Sequence, residues 1–160
     1  MINLEQIKDR VSQGELIEKI IEEMNWKEFE EIVGEILRTH DFNVYNSFRF
    51  KIRKNYEIDV IGIKQNIILG IDCKKWKGGR YKNSGLKYAI SKQKKRTVEF
   101  INFLKNNPNE KKFFGIEIKK IKLVPLIVTW LEEDLKIYDN IVVVPIWKLN
   151  EFLLNISEYT

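Results

Sequence analysis

From Phe42 to Lys75 apolar residues recur at every second position, interrupted only by short polar breaks. Phe42, Val44, Phe48, Phe50 and Ile52 mark one strand, with a break at Asn46–Ser47; Tyr56–Lys64 marks a second and Ile67–Lys75 a third. Only Gln65–Asn66 separates the second from the third. A parallel pair needs a crossover of a dozen or more residues, so these two strands must be antiparallel neighbours. A three-strand meander is thus set before any helix is placed, and it needs partners to cover its apolar faces.

Those partners lie on either side. Leu4, Ile7 and Val11, then Leu16, Ile17, Ile20, Ile21 and Met24, follow helical spacing and are divided by Gly14. Asn25 with Glu28 forms a capping-box pattern, opening a helix whose stripe is Trp26, Phe29, Ile32, Val33, Ile36 and Leu37 and which should stop near Thr39–Asp41. After the meander, Gly78–Gly85 predicts a loop and Leu86–Asn106 a long basic helix, with Ala89, Ile90, Val98, Ile101, Phe103 and Leu104 as its apolar positions. Leu123–Trp130 predicts a strand in which Pro125 argues for an edge or bulged place. Leu131–Leu135 suggests a helical turn, Ile141–Pro145 a further strand and Trp147–Ile156 a closing helix. The expected fold is one α/β domain over residues 1–160: a mixed central sheet of about five strands flanked by helices, with 1–24 as a helical extension and 25–156 as the core.

Several classes are set aside by composition. With 44% hydrophobic and 12% aromatic residues the chain can bury a core and is not disordered. Its apolar runs fall far short of the ~20 residues that span a bilayer. Glu5 and Asp9 stand where a secretory signal would be apolar, so none is expected. A single cysteine, Cys73, and a single histidine, His40, exclude an internal disulfide and a histidine-built zinc site. The expected compartment is the reducing cytoplasm, with no membrane partner and no small-molecule cofactor.

The net charge of +5 is unevenly placed. Residues 1–46 hold five basic and eleven acidic residues, whereas 73–98 hold ten basic and none acidic. The ten are Lys74, Lys75, Lys77, Arg80, Lys82, Lys87, Lys92, Lys94, Lys95 and Arg96, with Trp76, Tyr81 and Tyr88 among them. Such a run repels itself unless an anion neutralises it, and a polyphosphate backbone does so while releasing condensed counterions. A solvated lysine-rich face is the plainer alternative.

Charged residues also sit where apolar ones belong. Asp59 and Asp72 lie inside the second and third strands, with Lys74 on the same face as Asp72 and Cys73 on the other. Asp59 is six residues before the Gln65–Asn66 turn and Asp72 six after it, which makes the two carboxylates near neighbours across strands ~4.8 Å apart. Two such carboxylates repel unless a cation or a proton is shared. Both are hard oxygen donors suited to Mg²⁺ or Mn²⁺, and Lys74 can hold a water or balance charge on a phosphorane. A buried Asp–Lys pair is the competing reading; it meets a large desolvation cost and leaves the second aspartate unexplained.

Asp59 followed after a hairpin by Asp72-Cys73-Lys74 resembles the PD-(D/E)xK motif of restriction-endonuclease-like nucleases. Phe29-Glu30, Ile58-Asp59-Val60 and Cys73-Lys74-Lys75-Trp76 together resemble the Mrr-type branch, whose layout archaeal Holliday-junction resolvases share. The likeness spans about residues 26–100. It implies a restriction-endonuclease-like core and a metal-dependent DNA endonuclease of restriction, repair or recombination type. Glu30, Asp59 and Asp72 would then hold Mg²⁺ or Mn²⁺, and Lys74 would position the attacking water. DNA contacts would come from Lys75, Lys77, Arg80, Lys82, Lys87, Lys94, Lys95 and Arg96. Glu57 stands where the motif has glycine, and Ile58 where it has proline. Nucleases of this sort often act as homodimers so that both strands are cut, and residues 1–24 are a candidate contact. Two other readings stay open: a silent nucleic-acid-binding module of the same fold acting in a larger complex, and a protein-interaction domain. For Glu30 the alternative is a solvated helix acid, and for Trp76 a core residue.

Overall fold

A computed structural model describes residues 1–76, 82–115, 120–133 and 136–160. Helices α1 (Leu4–Ser12), α2 (Ile17–Glu23) and α3 (Trp26–Thr39) precede strands β1 (Asn43–Lys51), β2 (Asn55–Lys64) and β3 (Ile67–Lys74). Helices α4 (Lys82–Asn106) and α5 (Pro108–Phe113), strands β4 (Lys122–Thr129), β5 (Ile137–Tyr138) and β6 (Ile141–Pro145), and helix α6 (Leu149–Leu154) follow. The six strands form one mixed sheet in the order β1-β2-β3-β4-β6-β5, antiparallel through the meander and parallel from β3 to β4 and from β4 to β6. No helix among the described residues is long and apolar enough to cross a membrane.

Local chemistry explains the element ends. Gly14 takes a left-handed conformation (φ 90°) between α1 and α2. The Asn25 side chain accepts from Glu28 N, and Glu28 returns a bond to Asn25 N, closing the expected capping box on α3. Gln65, with φ 53°, turns the chain from β2 into β3.

Two layers cover the sheet. On one face Phe29, Val33 and Leu37 of α3 meet Val60, Leu69, Ile71, Leu126 and Val128, with α1, α2 and α6 completing the core. On the other, Phe100 and Leu104 of α4 meet Ile58, Ile61, Ile63 and Ile68, joined by Phe48, Phe50 and Phe114 in a set of ring contacts.

The first two strands change faces part-way. Val44 and Asn46 point at Gly34 of α3, yet Phe48 and Phe50 point at Phe100 of α4, although all four are even-numbered. In β2, Val60 belongs to the α3 side and Ile58 to the α4 side. The switch falls at one rung. Asn46 pairs with Val60 and Phe48 with Ile58, while Ser47 and Asp59 between them are unpaired and Ser47 has φ 50°. The break anticipated at Asn46–Ser47 is therefore shared by β1 and β2, and Asp59 lies at it.

Several expectations are corrected. The mixed sheet of about five strands is present and gains a sixth, because Asp139 and Asn140 (φ 51° and 62°) turn a two-residue β5 back onto β6. Strand β4 is internal, between β3 and β6, and not an edge. Pro125 is tolerated because the β4–β6 ladder starts only at Leu126, so β4 is locally an edge at the proline. Helix α4 begins at Lys82 and takes in Asn83–Gly85; its buried face is Leu86, Ala89, Ile90, Gln93, Thr97, Phe100 and Leu104, and Val98 is 55% exposed. Leu131–Glu133 is not helical, and the rest of that anticipated turn lies outside the described residues.

Candidate active site

Strands β2 and β3 pair from Lys64↔Ile67 to Val60↔Ile71 and then part. Asp59 lies one residue beyond the last rung. Its Oδ2 accepts from Cys73 N at 2.8 Å, so a side chain does what a strand carbonyl would otherwise do. Asp59 Oδ1 makes no hydrogen bond among the described residues. Burial raises the Asp59 carboxyl to about 6, the Asp72 charge adds to this, and the Cys73 N–H, Lys74 and Arg96 oppose it.

Asp72 is 3% exposed and carries two cations. Lys74 Nζ lies 3.0 Å from Oδ2 and 3.2 Å from Oδ1. Arg96 Nη1, from α4, lies 3.0 Å from Oδ1. Alternation along β3 puts Asp72 and Lys74 on the α4 side and Cys73 on the α3 side, where it packs against the core. Burial pushes the Cys73 thiol well above its ordinary value, as do the charges of Asp59, Asp72 and Glu30, so it behaves as a small inert hydrophobe.

Glu30 lies in the other layer. It is 7% exposed on α3, and burial lifts its carboxyl to about 7, with the charges of Asp59, Glu57, Asp72 and Glu31 adding. A solvated helix acid is thereby ruled out for this residue. Glu30 feels both strand aspartates, but among the described residues no three His, Cys, Asp or Glu side chains are grouped as a metal cage. Glu57 is taken by Arg49 Nε at 2.6 Å, across the β1–β2 rung.

The donor set nonetheless fits a divalent ion. Asp59 and Asp72 are hard oxygen donors that repel each other, Asp59 with an unbonded oxygen, and burial together with that repulsion holds the Asp59 carboxyl up. Water and phosphate oxygens can complete such a shell.

The expected cations are dispersed. Lys95 and Arg96 line a groove of about 260 Å³ that opens beside Asp59. Lys94 pairs with Asp139 at 2.7 Å, and Lys87 lies over the Tyr138 ring. Lys75 turns to the opposite layer, donating to Glu22 O at 2.9 Å and lying over Trp130. Lys77, Arg80 and the Lys82 side chain lie outside the described residues. Trp76 is partly buried against the cluster that Leu86, Ala89 and Ile90 form with Ile127, Ile141 and Val143, as a core residue would be, and lies beneath Lys74.

Sequence reasoning missed three residues here. Lys54 and Lys92 also line the groove, and Gln93 joins Arg96 (Nη1 to Oε1, 3.0 Å) to the Gly70 carbonyl (2.7 Å). Lys92, Lys95 and Arg96 share one helix face at i, i+3 and i+4, a signal that was available. Lys54 had none.

A mixed α/β sheet whose parting strands carry two acids and a lysine is the architecture of a nuclease-like domain. The profile of the nuclease-related domain (NERD) family matches residues 25–143. An uncharacterized protein of Archaeoglobus fulgidus is 30% identical over 137 residues, covering 85% of this chain and 95% of that one. The chain therefore belongs to the nuclease-related domain family, within the PD-(D/E)xK-like superfamily. Among solved structures, a protein of unknown function, AF1548, is 20% identical with a TM-score of 0.48, over 84% of this chain and 67% of that one. The protein VC1899 from Vibrio cholerae is 9% identical with a TM-score of 0.43, over 84% and 34%.

Proposed function

We infer that this protein is a Mg²⁺- or Mn²⁺-dependent endonuclease that hydrolyses DNA phosphodiester bonds, similar in its motifs to the Mrr-type and archaeal-resolvase branch. The observation that carries this reading is the meeting of Asp59, Asp72 and Lys74 where β2 and β3 part, under a helix with exposed Lys92 and Lys95. Asp59 and Asp72 would hold the ion, with Glu30 adding negative charge from α3. When bound, the ion supplies Lewis-acid polarisation and a more acidic water. Lys74, fixed beside Asp72, orients the attacking water or balances charge on the phosphorane; the water oxygen bonds to phosphorus, the P–O3′ bond breaks, and a 5′-phosphate and a 3′-hydroxyl result. The groove cations meet flanking phosphates, and two copies would allow both strands to be cut.

Supercoiled, branched and single-stranded DNA incubated with Mg²⁺ or Mn²⁺ should be nicked, and EDTA should stop it. The Asp59→Asn and Lys74→Ala proteins should bind DNA and not cut it. A second reading, a silent DNA-binding module, draws support from Asp72, whose two oxygens Lys74 and Arg96 already hold. Wild-type protein that binds DNA and never nicks it with either ion would establish that reading.

A further inference from the structure

Arg96 reaches Asp72 through one nitrogen. Its Nη1 lies 3.0 Å from Asp72 Oδ1 and 3.0 Å from Gln93 Oε1. A guanidinium has five N–H donors, and neither Nε nor Nη2 makes a hydrogen bond among the described residues. The side chain is 21% exposed and lines the groove beside Asp59 together with Lys54, Lys92 and Lys95. Lys74 is similarly exposed, at 26%, but is held differently. It comes from the same strand as Asp72, two residues on, and lies near both carboxylate oxygens. Of the two cations on Asp72, Arg96 has the looser hold and a place to go.

Asp72 is buried and needs compensation in every state of the protein. Without a divalent ion, Lys74 and Arg96 supply it. An ion bound by Asp72 would bring two further positive charges against both, and the repulsion is relieved most easily by moving Arg96, which touches only one of the two carboxylate oxygens, at the cost of its bond to Gln93 Oε1. A rotamer change suffices, because Arg96 already borders the groove. There its fork of donors suits a phosphate.

We propose that Arg96 is the resting counter-ion of Asp72, that a divalent cation displaces it, and that the freed guanidinium binds a phosphate next to the one cut. The inference rests on the nuclease reading of the Asp59–Asp72 site. Arg96 is then a positioning residue that couples the metal to the substrate backbone: the ion frees the arginine, and an anion in the groove keeps it away from Asp72. Arg96 and the ion compete for Asp72, so removing Arg96 should tighten metal binding even without DNA.

The test is calorimetric titration of the full chain with Mn²⁺ alone. Arg96→Gln should bind Mn²⁺ about tenfold more tightly than wild type, within the usual range of coupling between sites. Sulfate, as a tetrahedral oxyanion, should tighten Mn²⁺ binding to wild type and leave Arg96→Gln unaffected. A merely structural arginine would show the opposite, since its loss would loosen the site and weaken the metal. If Arg96→Gln does not fold, Arg96→Lys, whose shorter reach holds Asp72 less well, should bind Mn²⁺ with intermediate affinity, and the sulfate effect on wild type remains measurable. Unchanged or weaker Mn²⁺ binding by the folded Arg96 variants, while Asp72→Asn loses binding, overturns this inference alone. Asp72→Asn that binds Mn²⁺ as well as wild type overturns the metal-site reading and this inference with it.

Discussion

The main-chain N–H of Cys73 donates to Asp59 Oδ2 at 2.8 Å, one residue beyond the last β2–β3 rung. One carboxylate thus serves two ends: it keeps the parting strands in register and presents its second oxygen at the mouth of the site. Asparagine retains the acceptor, and alanine does not. Asp59→Asn should therefore melt close to wild type, whereas Asp59→Ala should be less stable by about 1 kcal/mol, the usual net worth of one hydrogen bond. Both should lose nicking activity by about 100-fold or more, as when a group stabilising the transition state is removed. Thermal melts and plasmid nicking on the same preparations separate the two effects.

Glu30 gives a pH signature. Its folded-state value is raised, from 4.5 to about 7, chiefly by burial. Between those values the folded protein holds more protons than the unfolded chain, so stability falls as pH rises through the window. Above pH 7 the buried carboxylate is charged and costs stability. Glu30→Gln removes that cost. It should raise the melting temperature at pH 8 by an amount corresponding to about 1 kcal/mol or more, and change little at pH 5. Circular-dichroism melts at the two pH values check it; equal shifts at both would show that burial does not perturb this carboxyl.

Gly62 reports on how closely α3 lies on the sheet. A Cβ there would meet Leu37 Cδ1 at 3.0 Å and Phe42 Cδ1 at 3.3 Å. Leu37 is fully buried and has little room to yield. Gly62→Ala should destabilise by about 1–3 kcal/mol, the range for overpacking a core. Urea unfolding measures it, and an unchanged midpoint would mean that the helix can shift away.

Much of this architecture was legible because one periodicity carries it. The alternation from Phe42 to Lys75 and the Gln65–Asn66 turn fixed the β2–β3 register, and with it the closeness of Asp59 to Asp72. The Asn25–Glu28 capping box placed the start of α3 in the same way. What stayed hidden depends on contacts between distant parts of the chain. The polar Asn46–Ser47 pair marked a break in β1, but not that β2 changes faces with it at Asp59, because the switch exists only once α3 and α4 cover opposite sides. Pro125 marked a local edge correctly, but that β6 joins from Leu126 onward and makes β4 an internal strand was not visible at the proline. Val98 was placed inward as an apolar residue, but Gln93 and Thr97 hold the inner face of α4 over Gly70, where polar groups can bond to each other and to the backbone. The Arg96–Asp72 pair spans 24 positions and follows from how α4 crosses β3.

The cations of residues 73–98 are expected to differ in what they do for DNA, and ionic strength sorts them. Each lysine that neutralises a phosphate releases counterions, so its removal should lower the slope of log affinity against log salt by about 1. Lys92 and Lys95 are exposed on the face of α4 that lines the groove. Lys92→Ala and Lys95→Ala should each flatten the slope and weaken binding most at low salt. Lys75 is committed elsewhere, donating to Glu22 O and lying over Trp130 in the opposite layer. Lys75→Ala should leave the slope unchanged and instead lower stability by loosening α2 from the sheet. Fluorescence anisotropy with a labelled duplex between about 50 and 200 mM salt measures all three proteins under one protocol, and the expected loss for a phosphate-dominated interface over that range is orders of magnitude. A slope that falls equally for Lys75 and Lys95 would mean that DNA wraps both faces of the sheet. A flat slope for the wild type would mean that the charge of α4 does not serve nucleic acid.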